Sequence, residues 1–388
     1  MKRRGNNEGT IYQLPDGRWI AMLSLGWRNG KRWRKAVFGT SREEADRKLT
    51  KAKRDRDQSL PLDIDERQTL EQFLRHWLTN WASAAVRPRT FESYQSMINL
   101  HITPELGHVR LTKLGPQQIQ TFLNRKVSEK DENRRLRFSP RTVQIMHATL
   151  RRALGHAEKW GLVWRNVAKL VDSPRGHRYE IRPYDADEAR AFVQAIKGHR
   201  FEALFCVAML GLREGEQLGL KWEDSVDLDA EVLHVRQALQ RINGKLERVD
   251  LKTDKSRREV PLPRFALAAL RRHRARQLEE RLAMGADWKE TGFVFTTTIG
   301  TPLDARNIHR IFVKLLTDTK LRRIRYHDLR HTAASLLHTE GVSIKDIQEI
   351  LGHSLLSTTA DVYTHLFAKA RRDAVTKIDE VLGRVRGA

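Results

Sequence analysis

The hydrophobic pattern of this chain changes character twice, and each change falls at a pattern-breaking stretch carrying a proline. Residues 9–38 alternate in the manner of strands, residues from about Thr69 to Leu170 repeat in the manner of helices, and the remainder mixes the two. The first break is Ser59-Leu60-Pro61-Leu62-Asp63-Ile64-Asp65; the second is Val171-Asp172-Ser173-Pro174-Arg175-Gly176-His177-Arg178. A pattern so divided does not suit one core, and 388 residues leave room for two or three. We read a multidomain chain. Residues 1–58 form a small three-stranded β-sheet plus helix, 66–172 an all-α bundle, and 180–388 a mixed, mainly α domain with a small antiparallel β-sheet.

In the first segment, Thr10–Leu14, Arg18–Leu25 and Lys31–Phe38 read as strands of a meander, turned at Asp16-Gly17 and Asn29-Gly30. Thr40-Ser41-Arg42-Glu43-Glu44 offers a capping box before a short basic helix, Ala45–Arg56. Cations and aromatics interleave on the strands at Arg18, Trp19, Arg28, Lys31, Arg32, Trp33, Arg34 and Lys35. That mixture suits a β-ribbon laid in a DNA groove, with Trp19 or Trp33 in the small core as the plainer alternative.

Charge points the same way. The chain carries 72 Lys+Arg against 48 Asp+Glu, a formal +24, which calls for a polyanionic partner. No apolar run approaches the roughly 18 residues of a membrane span, and the polar start Met1–Glu8 precedes no signal-peptide core, so a cytosolic location and no membrane partner are expected. Cys206, the single cysteine, excludes an intramolecular disulfide and a cysteine-built zinc site; its apolar surroundings predict a buried residue.

The helical segment is punctuated clearly. Thr69 with Gln72 makes a capping box for a stripe of Leu70, Phe73, Leu74, Trp77, Leu78 and Trp81. A second helix starts near Pro88-Arg89-Thr90, Ser139-Pro140 opens another, and Ser128–Phe138 between them is a charged loop. In the last segment Asp185 and Glu188 cap a helix, Leu228–Leu239 and Leu246–Leu262 have strand character about Asn243-Gly244, and the chain is mostly helical from Pro263.

Four blocks in that segment carry chemistry, in this order. They are Gly211-Leu212-Arg213-Glu214-Gly215-Glu216-Gln217-Leu218-Gly219-Leu220-Lys221-Trp222; Leu251-Lys252-Thr253; His327-Asp328-Leu329-Arg330-His331-Thr332; and Leu351-Gly352-His353-Ser354 followed by Thr358-Thr359-Ala360-Asp361-Val362-Tyr363-Thr364-His365. Together they resemble the two arginine boxes, the β-hairpin lysine, and the closing histidine and tyrosine of the tyrosine recombinase (phage integrase) family. The resemblance covers nearly the whole chain. It implies an N-terminal arm-type DNA-binding domain, a SAM-like core-binding domain and a catalytic domain ending in a tail helix. It also implies a site-specific recombinase of a prophage or integrative element that cleaves and rejoins DNA through a 3′-phosphotyrosyl bond at Tyr363. The implied partners are double-stranded DNA bearing core-type and arm-type sites, three more copies of the chain in a tetramer, and an accessory bending protein or excisionase. Its setting would be the bacterial cytosol, at the nucleoid.

The residue types fit that chemistry. Attack on a phosphodiester builds negative charge on the nonbridging oxygens, and permanently charged, bidentate arginines such as Arg213 and Arg330 can clamp them. His327, three residues before Arg330, would share a helix face and a phosphate with it. A phenol with an ordinary pKa of about 10 needs help to ionise, which the cations and a histidine, His327 or His353, can give. The resemblance makes Lys252 the acid for the departing 5′ oxygen. No metal or cofactor is called for. Lys255, Arg257 and Arg258 are expected to be solvated or to touch phosphate, His331 and His365 to pack or cap, and Glu216 to orient a basic neighbour.

After Tyr363, an amphipathic series of Phe367, Ala370, Ala374, Ile378, Val381, Leu382 and Val385 suits a tail docked in trans on a neighbouring protomer. Two other readings compete with the leading one. A type IB topoisomerase would make the same bond as a monomer with little site choice, and a sequence-specific regulator would retain the set unused.

Overall fold

A computed structural model of the chain describes residues 9–28, 31–57, 67–176, 181–251 and 256–352. Lys252, His353, Tyr363, His365 and the tail series lie outside the described residues. The chain divides into two units, Met1–Arg178 and Tyr179–Ala388.

The first unit opens with the expected meander: β1 (Thr10–Gln13), β2 (Trp19–Arg28) and β3 (Lys31–Gly39), in that order and antiparallel. A register shift lies between Ser24 and Trp27 in β2. Helix α1 (Arg42–Asp57) begins three residues before the expected Ala45, because Ser41 is the residue whose side chain caps it. Ser41 Oγ accepts from Glu44 N at 3.2 Å, and the Glu44 carboxylate turns back to the Thr40 amide at 2.8 Å. The core of this sheet and helix is small: Ala21, Leu23, Ala45, Leu49 and Ala52, flanked by Ile11, Trp19 and Val37.

The helical remainder has its own core. Helix α2 (Leu70–Trp77) is opened by the reciprocal Thr69–Gln72 box, then passes through a π-helical turn, Leu78–Ala82, into α3 (Ser83–Ala85). The same device recurs where α4 (Pro88–Met97) runs through a π-turn, Ile98–Ile102, into α5 (Thr103–Leu106). Helices α6 (Pro116–Ser128) and α7 (Pro140–Lys159) complete the bundle. The expected stripe is buried from Leu70 to Leu78, with Trp81 half-buried at its end. Trp77 is fully buried and donates Nε1–H to His156 Nδ1 at 2.7 Å, which satisfies its one polar atom.

Two connections are tied down. The charged loop 128–138 is present as expected and is closed by a bridge between Lys130 and Leu136. Buried Lys126 holds it by pairing with Glu105 and Glu129, each at 2.7 Å. The start of the second break is also fastened down: the Asp172 amide donates to Gln120 at 3.0 Å and Gln144 donates to the Pro174 carbonyl at 2.8 Å.

The second unit surrounds one large core. Helix α8 (Ala186–Ala195), capped by Asp185 and Glu188 as expected, leads to the buried α9 (Glu202–Ala208). Cys206 sits within α9 at 2% exposure, and burial pushes its thiol up to about 12. Then come α10 (Glu214–Leu218) and α11 (Trp222–Ser225). The strands make two small sheets: β4 (Val226–Asp227), β5 (Val232–Val235) and β8 (Arg258–Pro261) in one, β6 (Gln237–Ile242) and β7 (Lys245–Asp250) in the other. The β6–β7 turn is Asn243-Gly244, both residues at positive φ, as such a hairpin requires. Among the described residues four α-helices follow: α12 (Arg264–Met284), α13 (Ala305–Asp318), α14 (Asp328–Thr339) and α15 (Ile344–Leu351).

The hairpin serves as the floor for α10. Gly219 comes so close to β6 that an added Cβ would stand 2.8 Å from the Leu239 amide nitrogen. Arg248 of β7 donates to the Gly219 carbonyl at 2.9 Å and grips Asp224 through two bonds, which fixes the end of α10.

Candidate active site

The first arginine block is positioned by the start of α10. Arg213 is the residue before that helix; its amide donates to Glu216 Oε2 at 2.9 Å, and its Nη1 donates to Glu216 Oε1 at 2.7 Å. The carboxylate therefore ties up a helix-start donor and aims the guanidinium together. The Arg213 side chain keeps 37% exposure, while that of Glu216 has 1%. Burial alone would raise the Glu216 carboxyl, yet Arg258 and Arg213 hold it below the ordinary carboxylate range.

The second block comes from the start of α14. Arg330 is 2% exposed and donates Nη1 to the Gly211 carbonyl and Nη2 to the Leu351 carbonyl at 2.8 Å. It thus joins the loop before Arg213 to the end of α15. His327 immediately precedes α14 with helical backbone angles, so the three-residue spacing to Arg330 does follow a helical path. His327 is exposed, and its ring lies edge-on to that of buried His331, centroids 5.1 Å apart. Burial, then the Arg330 charge, lowers its pKa, with Asp328 opposing; a neutral imidazole is favoured. Asp328, fully buried, accepts from the Arg325 amide at 2.9 Å and from its guanidinium at 2.8 Å.

The blocks meet at the C-terminus of α15. Three consecutive carbonyls there receive three different guanidinia: Ile350 from Arg258 Nε at 2.6 Å, Leu351 from Arg330 at 2.8 Å, and Gly352 from Arg213 Nη2 at 2.6 Å. The last carbonyls of a helix lack intrahelical partners and carry the negative end of its dipole, so cations are favoured there. Gly352 ends the helix in the left-handed region, φ 67° and ψ 42°. The next residue in sequence is His353. Two guanidinia from segments 117 residues apart are thereby fixed within one patch of backbone.

Arg258 is a correction to the sequence reading, which left it solvated or on a phosphate. Its side chain is 8% exposed and donates Nη2 to Glu216 Oε2 at 2.9 Å. Glu216 orients a basic neighbour as expected, and in fact two. Arg257 is exposed, and Lys255 lies outside the described residues. His331 packs within α14. Sequence reasoning also missed Gln217, which donates to the Leu212 carbonyl at 2.7 Å and accepts from the Tyr326 hydroxyl, fastening the two arginine blocks together. A buried glutamine one turn after an arginine gives no sequence signal for a partner 109 residues away.

On the N-terminal strands, Arg18 is exposed, paired with Asp16 at 2.6 Å and lying over Phe38, and Arg34 is exposed. Trp19 is half-buried against the small core, with Arg42 over its ring at 5.9 Å. The side chains of Arg28, Lys31, Arg32, Trp33 and Lys35 lie outside the described residues. Among the described residues no helix is long and apolar enough to cross a membrane.

Comparison with known proteins agrees with the geometry. Residues 184–370 match the phage integrase family, and residues 69–127 match the phage integrase N-terminal SAM-like domain. A tyrosine recombinase XerC-like protein of Caldanaerobacter subterraneus subsp. tengcongensis is 30% identical over 373 residues, 91% of this chain and 93% of that one. Among solved structures, the Tn1549 transposon integrase in complex with transposon right end DNA aligns with a TM-score of 0.65 at 20% identity, over 79% of this chain and 99% of that one. A lambda integrase tetramer bound to a Holliday junction aligns at 0.52 and 19% identity, over 92% and 96%. The chain therefore belongs to the phage integrase family of tyrosine recombinases, enzymes that cleave and rejoin DNA.

Proposed function

We propose that this chain is the site-specific integrase of a prophage or integrative mobile element, with Tyr363 as its nucleophile and a tetramer on two DNA sites as its working form. The observation that carries the reading is the convergence of Arg213 and Arg330 on the Gly352 and Leu351 carbonyls. Two bidentate, permanently charged groups are held together one residue before His353 and eleven before Tyr363.

In this reading the two guanidinia bind the nonbridging oxygens of the scissile phosphate and offset the charge that grows as phosphorus becomes five-coordinate. The Tyr363 oxygen forms the new bond to phosphorus, the bond to the 5′ oxygen breaks, and the phenolic proton passes to His327 or His353. Lys252 returns a proton to the departing 5′ oxygen. Reversal by a different 5′-hydroxyl rejoins strands without an external energy source, because the phosphotyrosyl ester keeps the bond energy. The neutral state favoured at His327 suits a proton acceptor.

Residues 1–58 serve as the arm-type DNA-binding domain, 66–172 as the core-binding domain and 180–388 as the catalytic domain. Arg18, Trp19, Arg28, Lys31, Arg32 and Arg34 are the residues offered to DNA, and the tail after Tyr363 docks in trans. An accessory bending protein or excisionase would act on the same assembly, in a bacterial cytosol at the nucleoid. A nicked duplex that traps the cleaved state tests the assignment. Wild type should yield a covalent protein–DNA adduct, and Tyr363→Phe should bind the same duplex and yield none. An adduct from Tyr363→Phe would remove that residue as nucleophile, and sequencing the attached DNA ends gives polarity and site together.

A further inference from the structure

Arg258 has no role in the chemistry above, yet its side chain is only 8% exposed and is held on several sides. Its three kinds of nitrogen each reach a different stretch of chain. Nη2 donates to Glu216 at 2.9 Å, Nε to the Ile350 carbonyl at 2.6 Å, and Nη1 to the Ser256 carbonyl at 3.2 Å. Glu216 grips Arg213 with its other oxygen at 2.7 Å. Ile350 precedes His353 by three residues, and Ser256 follows Lys252 by four.

Neutralising a buried carboxylate does not require that pattern, since any cation of the right reach would do. A rigid planar fork is needed where the directions of three acceptors must be fixed against one another. The packing is close as well: a Cβ added at Gly352 would lie 2.8 Å from Arg258 Nη1, so the guanidinium rests against the backbone of the turn leading to His353.

We propose that Arg258 is a positioning residue for strand cleavage, holding Arg213, through Glu216, in register with the end of α15, which immediately precedes His353 in sequence. The proposal rests on the reading of Arg213 and Tyr363 given above. It makes the shape of the group at position 258, and not its charge alone, set the cleavage rate.

The test uses the full chain and a nicked duplex carrying the site recovered from the wild-type adduct. Arg258→Lys keeps the charge and loses the fork. It should bind the duplex as wild type does while forming the covalent adduct about 10- to 100-fold more slowly in a single turnover, the scale expected when a reacting group is slightly misplaced. The same substitution made in Arg213→Ala should cost little further, because the two changes act through one group. A wild-type cleavage rate in Arg258→Lys overturns the proposal, as does an equal loss with and without Arg213. If Arg258→Lys does not fold, Arg258→Gln, which leaves Glu216 and its grip on Arg213 in the sequence, replaces it; slow cleavage with wild-type binding supports the proposal and wild-type cleavage overturns it. An adduct that persists in Tyr363→Phe instead defeats the underlying reading, whereas a Tyr363-dependent adduct left unslowed by Arg258→Lys defeats this proposal alone.

Discussion

Arg213 and Arg258 divide one buried carboxylate between them, Arg213 on Glu216 Oε1 at 2.7 Å and Arg258 on Oε2 at 2.9 Å. One anion thus sits between two cations, which lets two guanidinia stand close together in a place nearly closed to water. The group keeps a net positive charge, and Arg213 is its exposed end.

Removing the anion should therefore be costly. Glu216→Gln leaves Arg258 buried without its counter-charge, and a loss of about 3–5 kcal/mol is expected for breaking such a pair from one side. Urea unfolding of the second unit's transition reads it, and a change under about 1 kcal/mol would mean the carboxylate is dispensable. The acid limb should change too. Because the folded-state pKa of Glu216 is lowered, its contribution is complete above the ordinary carboxylate value and disappears as pH falls through the folded one. Wild type should lose stability below about pH 4.5 more steeply than Glu216→Gln does.

The two proposed clamp residues should separate by their burial. Both Arg213→Ala and Arg330→Ala should slow cleavage by about 10²–10³. Arg330, 2% exposed, also satisfies the Gly211 and Leu351 carbonyls, so its loss should lower the unfolding midpoint as well. Arg213 is partly exposed, and its alanine variant should melt closer to wild type. Equal melting losses in the two variants would contradict this ranking.

His331 should make the fold sensitive to mild acid. Its imidazole is 7% exposed, and burial first, then the neighbouring His327, pushes its pKa down to about 4. A histidine with a lowered folded-state pKa takes up its proton more readily unfolded, so stability is full above about pH 6.5 and declines as pH falls towards 4. The integrated loss is about 3 kcal/mol. His331→Leu should flatten that decline in urea titrations at pH 7 and pH 4.5, and an unchanged slope would show that another group is responsible.

Deleting residues 1–58 should spare cleavage at a core site and abolish binding to separate arm sites. The sheet and α1 form their own small core, and the helical bundle's cluster draws on none of its residues. A gel shift that still retains arm-site DNA after the deletion would refute the role given to this segment.

Local devices were the legible part of this molecule. Thr69–Gln72, Ser139-Pro140, Asp185–Glu188 and Asn243-Gly244 act over two to four residues, and each does what its residue types imply. The π-turns at Leu78–Ala82 and Ile98–Ile102 were hidden, because an apolar stripe continues through them with little change of spacing. Arg258 was hidden for another reason. It stands in Lys255-Ser256-Arg257-Arg258, where nothing local distinguishes the buried arginine from its exposed neighbour, and its partners lie 42 and 92 residues away. Arg213 and Arg330 could be named from motif alone, but their shared attachment to the end of α15 depends on where distant carbonyls fall.

The acceptors of Arg213, Arg258 and Arg330 described above all belong to residues 211–352. These bonds, among the described residues, lie within the second unit. A bond pattern so local makes portability an experiment: a chimera that exchanges residues 1–172 for those of a relative with other target sites should cleave at the new address if the proposed domain roles hold.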